Sequence, residues 1–257
     1  MSNERGSILS EIENGVARVT LNQPPLNILD IAMMGELHQA IAQINSSGSA
    51  KVLVLDHRGK AFSAGVSIQD HTPDKVGQMI ETFHGVLRLL NSLALPTVAL
   101  VDGMALGGGC ELAVFCDIVL ASERATFGQP EIKVGVFPPV AAVLFPRLIG
   151  RNRTLELLLS GDTIDANEAR SIGLINKVFL TESFRAKAGE FIAKLTAMSG
   201  PVLRWTKRAV DAGLQANFNA GLAAIEQIYL RDLMATEDAR EGLNAFLEKR
   251  QPAWKEK

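Results

Sequence analysis

The chain has 257 residues, of which 47% are apolar and 21% charged, the balance of a folded globular protein and not of a disordered or fibrous one. Lys and Arg total 26 against 28 Asp and Glu, a net charge of -2, so no basic excess exists to draw a phosphate backbone. Aromatic residues make up 5%, too few for a base-stacking platform, which argues further against nucleic acid as a partner.

No apolar run approaches the ~20 residues of a membrane-spanning helix, so no membrane partner is expected. The polar start, MSNERGSILSE, lacks the basic-then-apolar pattern of a signal peptide. Two cysteines, Cys110 and Cys116, cannot build a disulfide framework, and no second Cys or His cluster offers a zinc site. The expectation is a cytoplasmic protein without a bound metal.

Residues 7–13 and 16–21 alternate and flank Asn14-Gly15, the strongest short-range hairpin signal. Pro24-Pro25 then breaks the chain. Ile31, Met34, Leu37, Ile41 and Ile44 recur at helical spacing, with Gly48 as the stop. Residues 52–55 form a continuous apolar run, the mark of a strand buried on both faces. A Gly-containing loop leads to a helix over 74–93, and Pro96 opens a second buried strand over 97–101. A glycine-rich turn over 103–109 enters a short helix over 110–115, and a third buried strand covers 117–121.

Strands alternating with helices predict an α/β protein with a mostly parallel sheet. The later chain reads as helical over 151–160, 166–171, 183–198, 202–212 and 220–233, with Asp165 and Glu168 as a capping pair. Ser199-Gly200-Pro201 is a break, which divides the chain into an α/β core over 1–198 and a helical region over 199–257. The tail over 246–257 is charged but holds Phe246, Leu247 and Trp254, so it is expected to pack on the rest.

In α/β sheets, ligands sit beyond the carboxyl ends of the strands, which singles out the loops over 59–67 and 102–109. Gly103 and Gly108 have the G-x-x-x-x-G spacing, but Gly109 and Cys110 stand where a phosphate-binding loop needs Lys and Ser or Thr. A dinucleotide fingerprint fails as well, because its third glycine is missing. What remains is Gly107-Gly108-Gly109 opening a helix. It suits either a backbone cradle for developing negative charge or a turn whose small residues permit close packing.

Glu111 falls in the first turn of that helix, where the helix dipole alone would favour it. Glu131, after Phe127-Gly128-Gln129-Pro130, reads by itself as a surface-loop carboxylate. Brought together, the two suit a general acid and a general base. Cys110 reads as a packed structural thiol. The histidines, His38, His57, His71 and His84, read as surface or packing residues, and His71, close behind the first loop, fits that reading least well.

Three stretches carry a family resemblance: Lys60-Ala61-Phe62-Ser63-Ala64-Gly65-Val66-Ser67, Val101-Asp102-Gly103-Met104-Ala105-Leu106-Gly107-Gly108-Gly109-Cys110-Glu111, and Phe127-Gly128-Gln129-Pro130-Glu131. They resemble the crotonase (enoyl-CoA hydratase/isomerase) superfamily, and weaker likeness extends over nearly the whole chain. The resemblance implies a crotonase-like spiral of ββα units with a C-terminal helical trimerisation region. It implies a homotrimer or a dimer of trimers, and a coenzyme A thioester as substrate with no separate cofactor.

The resemblance places the backbone N–H groups of Val66 and Gly108 as an oxyanion hole for the thioester oxygen. One such donor is worth roughly 2.7–4 kcal/mol of barrier. The Ala64 carbonyl and the backbone near Ile68 would meet the adenine. Glu111 would activate water and Glu131 would exchange the proton at the α-carbon. The two glutamates stand 20 residues apart, as in the family's hydratases. Possession of both favours hydration over the alternative, double-bond isomerisation. The family also holds RNA-binding members, against which the balanced charge argues.

Two departures stand out. Ser67 occupies the position of a usual Asp, and the stretch Gly135-Val136-Phe137-Pro138-Pro139 replaces a glycine-rich lining of the acyl pocket. Pro139 has no N–H to donate, so an altered pocket and water environment are expected. Phe137-Pro138-Pro139 with Asp70-His71-Thr72-Pro73 resembles the cyclohexa-1,5-diene-1-carbonyl-CoA hydratases, which implies a pocket suited to a ring.

Overall fold

The computed structural model describes residues 6–257, and the first five residues of the polar N-terminal stretch lie outside them. Strands β1 (Ile8–Glu13) and β2 (Val16–Leu21) form the expected antiparallel hairpin. Asn14 and Gly15 both have positive φ, 50° and 77°, as a two-residue hairpin loop requires. Strands β3 (Val52–His57), β5 (Thr97–Val101), β7 (Ile118–Ser122) and β10 (Lys177–Phe179) add in parallel, giving the order β1-β2-β3-β5-β7-β10.

A second sheet, β4-β6-β8-β9, runs β4 (Ala61–Ser63), β6 (Met104–Leu106), β8 (Thr126–Gly128) and β9 (Thr163–Asp165). Its strands have three residues each, too short to carry an alternating pattern, so the sequence reading passes over them. Strands β4, β6 and β8 follow β3, β5 and β7, and each pair is followed by a helix. These helices are α2 (Val76–Ser92), α3 (Gly108–Val114) and α4 (Pro139–Ser160). The result is a mixed α/β spiral of ββα units, as expected.

Helix α1 (Ile31–Ser47) follows β2. Asp30 Oδ1 caps it by accepting the Met33 N–H at 2.7 Å, and Gly48 ends it at φ 64°. Met33, Met34, Leu37, Ile41 and Ile44 are its buried face. The central sheet is buried on both sides, which explains the unbroken apolar run of β3. Leu53 and Leu55 join the main core, whereas Val52 and Val54 meet Phe184, Ala188 and Ile192 of α6 (Phe184–Thr196). Between them run α5 (Ala166–Ser171) and β10; the capping pair holds, with Asp165 Oδ1 accepting the Glu168 N–H.

One helix begins earlier than expected. Helix α4 starts at Pro139, not at 151, and turns at Gly150, which has φ 76°. Pro139 sits in its first turn, where the missing N–H would have no intrahelical partner and the fixed φ favours helix entry.

The break at Ser199 is a helix start. Ser199 caps α7 (Gly200–Leu214) and donates its hydroxyl to the fully buried Asp238 at 2.5 Å. Helices α8 (Phe218–Gln227) and α9 (Glu237–Leu247) follow, joined by a π-helical segment, Ile228–Leu233. The tail packs as expected: Trp254 donates its indole N–H to the Ala197 carbonyl at 2.8 Å, and Glu256 pairs with Lys51. No helix among the described residues is long and apolar enough to cross a membrane.

Candidate active site

Two backbone loops of the small sheet face each other. After β4, Gly65 has φ 110°, and a Cβ there would stand 3.1 Å from the Leu106 carbonyl oxygen, so the chains approach as only glycine allows. Leu29 grips this loop from the side: its N–H donates to the Gly65 carbonyl at 2.9 Å, and its carbonyl accepts the Ser67 N–H at 3.0 Å. The Val66 N–H therefore points the other way.

After β6, Gly107 (φ 52°, ψ -131°) turns the chain into α3, and its N–H donates to the Gly128 carbonyl. Gly108 is the first residue of α3, so its N–H is one of the orphan donors of a helix start. A Cβ on Gly108 would come within 2.5 Å of Val66 Cγ2, which places the two residues side by side. Neither the Val66 N–H nor the Gly108 N–H has an acceptor among the described residues. Of the two uses the triplet's sequence leaves open, close packing holds at Gly109, which lies against Ser63.

These loops wall a cavity of about 470 Å3. Val76, Met79, Ile80, Phe83 and His84 of α2 form one side, and Val134 to Pro139 another. Val66, Gly108, Ala64, Ile68, Pro139, Glu111 and Glu131 all line it. Ser67 does not. It faces a neighbouring groove with Pro24, Leu26, Asp30, Asp70 and Lys75, and Ile68 borders both spaces.

Glu111 is 3% exposed, and its Oε1 accepts the Ala141 N–H at 2.7 Å. The start of α4 thus supplies this donor, and the lack of an N–H on Pro139 removes nothing from Glu111. Burial pushes the Glu111 carboxyl up to about 7; the Ala141 N–H opposes this and the charge of Glu131 adds to it. Glu131 is half-buried in the 3-10 turn Pro130–Val134. Its carboxyl is also raised, mainly by burial, with its own backbone N–H and His71 opposing. Two acids of one cavity whose carboxyls are both raised suit proton transfer in both directions.

Sequence reasoning passed over Gln129. It is fully buried, and its amide NH2, in the orientation that satisfies its surroundings, donates to Glu131 Oε1 at 3.3 Å and Oε2 at 3.2 Å. Its place two residues before Glu131 at the end of a strand is the only signal the sequence offers. Cys110 is fully buried and its thiol is pushed far up by that burial, so it is no nucleophile.

The family Enoyl-CoA hydratase/isomerase matches residues 11–257. A cyclohexa-1,5-dienecarbonyl-CoA hydratase of Thauera aromatica is 38% identical over 248 residues, covering 95% of this chain and 94% of its own. A crotonyl-CoA hydratase of Syntrophomonas wolfei is 33% identical, covering 95% and 96%. The solved structure of an enoyl-CoA hydratase from Bacillus anthracis superposes with a TM-score of 0.92 at 30% identity, over 98% of this chain and 100% of its own. By sequence over nearly its full length and by fold, the chain belongs to the enoyl-CoA hydratase/isomerase family, the crotonase superfamily that its glycine loops resemble.

Proposed function

We propose that the protein is a hydro-lyase that adds water reversibly to the double bond of an α,β-unsaturated acyl-CoA thioester. The observation that carries this reading is the meeting of Glu111 and Glu131 in one cavity with two unpaired backbone donors, Val66 and Gly108. The thioester oxygen takes the two N–H groups, which stabilise the enolate as it forms. Water held between the carboxylates attacks the β-carbon. Glu111, ionised, takes the proton of that water, and Glu131, protonated, gives its proton to the α-carbon. The donors belong to the main chain, so the apolar Val66 side chain does not impair them. The Ala64 carbonyl and the backbone at Ile68 take the adenine, and Ser67 borders the groove that leads from it.

The acyl group in this reading is a cyclic diene. The name of the Thauera relative supports it, as does the cavity wall of Phe137, Pro138 and Pro139. The test is an absorbance assay with crotonyl-CoA and cyclohexa-1,5-diene-1-carbonyl-CoA in 18O-labelled water. Hydration places 18O in the product; a product that shifts its double bond without label would make the protein an isomerase instead.

Residues 199–257 serve oligomerisation, as a homotrimer or a dimer of such trimers. Leu214, Phe218, Phe246 and Leu247 are 77 to 82% exposed in the single chain, an apolar surface that asks for a partner. Light scattering after size-exclusion chromatography tests this, with L214S/F218S expected to shift the mass toward the monomer.

A further inference from the structure

We infer that Ser63 is a positioning residue for coenzyme A: its hydroxyl turns the Ala64 carbonyl to accept the amino group of the adenine. The inference rests on the reading above in which that carbonyl takes the adenine.

Ser63 ends β4 and is fully buried. Its Oγ accepts the Gly65 N–H at 3.1 Å. A trans peptide directs its N–H and its C=O to opposite sides. The peptide between Ala64 and Gly65 is thus tied by its N–H, and its other end, the Ala64 carbonyl, is turned away from Ser63. That carbonyl has no donor among the described residues, and Ala64 is half-buried on the wall of the cavity. The next peptide is tied at the opposite end, where the Gly65 carbonyl accepts the Leu29 N–H. Two successive peptides therefore offer a ligand one acceptor, at Ala64, and one donor, at Val66.

Gly65 makes the Ser63 bond necessary. It has φ 110°, and a glycine moves between backbone conformations more freely than any other residue. The Ala64 N–H is held by the Leu26 carbonyl at 2.9 Å, which fixes the preceding peptide but not the one between Ala64 and Gly65. Ser63 holds that one, and its own hydroxyl is kept in place by Gly109. A Cβ on Gly109 would stand 2.6 Å from Ser63 Cβ and 2.7 Å from its Oγ, so the bare Cα closes over the side chain.

The acceptor sets what it can hold. A carbonyl oxygen pairs with an N–H or O–H and repels a phosphate, which offers only acceptors at neutral pH. Of the groups on the coenzyme A nucleotide, the exocyclic amine of adenine is the planar donor that matches it.

The test compares coenzyme A with its deaminated form, in which hypoxanthine carries an oxygen where adenine carries the amine. Isothermal titration calorimetry reads both affinities without any turnover. Wild type is expected to bind coenzyme A about fivefold more tightly than the deaminated form, the scale of one neutral hydrogen bond. S63A removes a single oxygen atom and should discriminate less than about twofold. S63C, whose sulfur accepts only weakly, is the second variant in case S63A does not fold, and should move in the same direction. A variant that keeps the wild-type discrimination, or that loses affinity for both ligands equally, would overturn the role of Ser63 and leave it a packing residue against Gly109. If wild type does not distinguish the two bases, the adenine reading of Ala64 fails first and this inference falls with it.

Discussion

The Glu131 carboxylate rests against the Cα of Gly107, so closely that a Cβ on Gly107 would stand 2.5 Å from Glu131 Oε1. Gly107 also has φ 52°, a conformation in which other residues are strained. Glycine is therefore needed here for the turn and for the acid beside it. The variant G107A should push the carboxylate aside and lower kcat by about 100-fold, the scale of a misplaced catalytic group. Steady-state kinetics checks this, and thermal melting separates it from simple loss of fold.

Removing either acid should remove most of the reaction. E111Q and E131Q keep the size and one acceptor oxygen of each side chain, and E111Q preserves the bond from the Ala141 N–H. Each should lose about 10²–10⁴-fold in kcat. The hydration assay measures this, and wild-type rates in both variants would remove the acid–base assignment.

The raised carboxyl of Glu111 sets a direction with pH. Its value is about 7 in the folded chain and near 4.5 when exposed, so between those values the folded state holds a proton that the unfolded state has lost. This contribution to stability is present below the unfolded value and fades as pH rises through about 7. E111Q should therefore be more stable than wild type at pH 8, by on the order of 2 kcal/mol, and the gap should close below pH 4. Denaturant melts at both pH values test it. The proposed reaction runs the opposite way: in it Glu111 must be ionised to take a proton, so kcat/KM should fall about tenfold per pH unit well below its titration.

Gly108 and Val66 should behave as a coupled pair. G108A brings a methyl group against Val66 Cγ2 and to 3.3 Å from Phe83 Cζ, which forces the two proposed donors apart. Loss of one donor corresponds to about 10²–10³-fold in kcat. V66A removes the opposing methyl, so V66A/G108A should recover part of the loss that G108A causes alone. Additive losses in this double-mutant cycle would mean that the contact does not set the donor geometry.

Several parts of this arrangement were legible before any coordinates. The Asn14-Gly15 hairpin, the stripe of α1 and the buried runs of β3 and β5 are written in local pattern, because each is long enough to repeat. The small sheet was not, since β4, β6 and β8 are three residues long and are fixed by glycine contacts across loops. Motif resemblance singles out Val66, Gly108, Glu111 and Glu131, which the fold brings to one cavity. It gave no account of Gln129, whose role appears only when its amide meets Glu131. It also made Pro139 look like a lost donor, because the helix is expected only from 151, whereas α4 starts at Pro139 and its Ala141 N–H reaches Glu111.

The grip of Leu29 on the β4 loop has a consequence for how this protein can change. Both of its bonds are main chain to main chain, and the amide they orient is main chain as well. Side chains at 29 and 66 are thus free of the duty of aiming that amide. The wall of the cavity can be recut one residue at a time, for a ring or a straight chain, while the proposed grip on the thioester oxygen stays as it was.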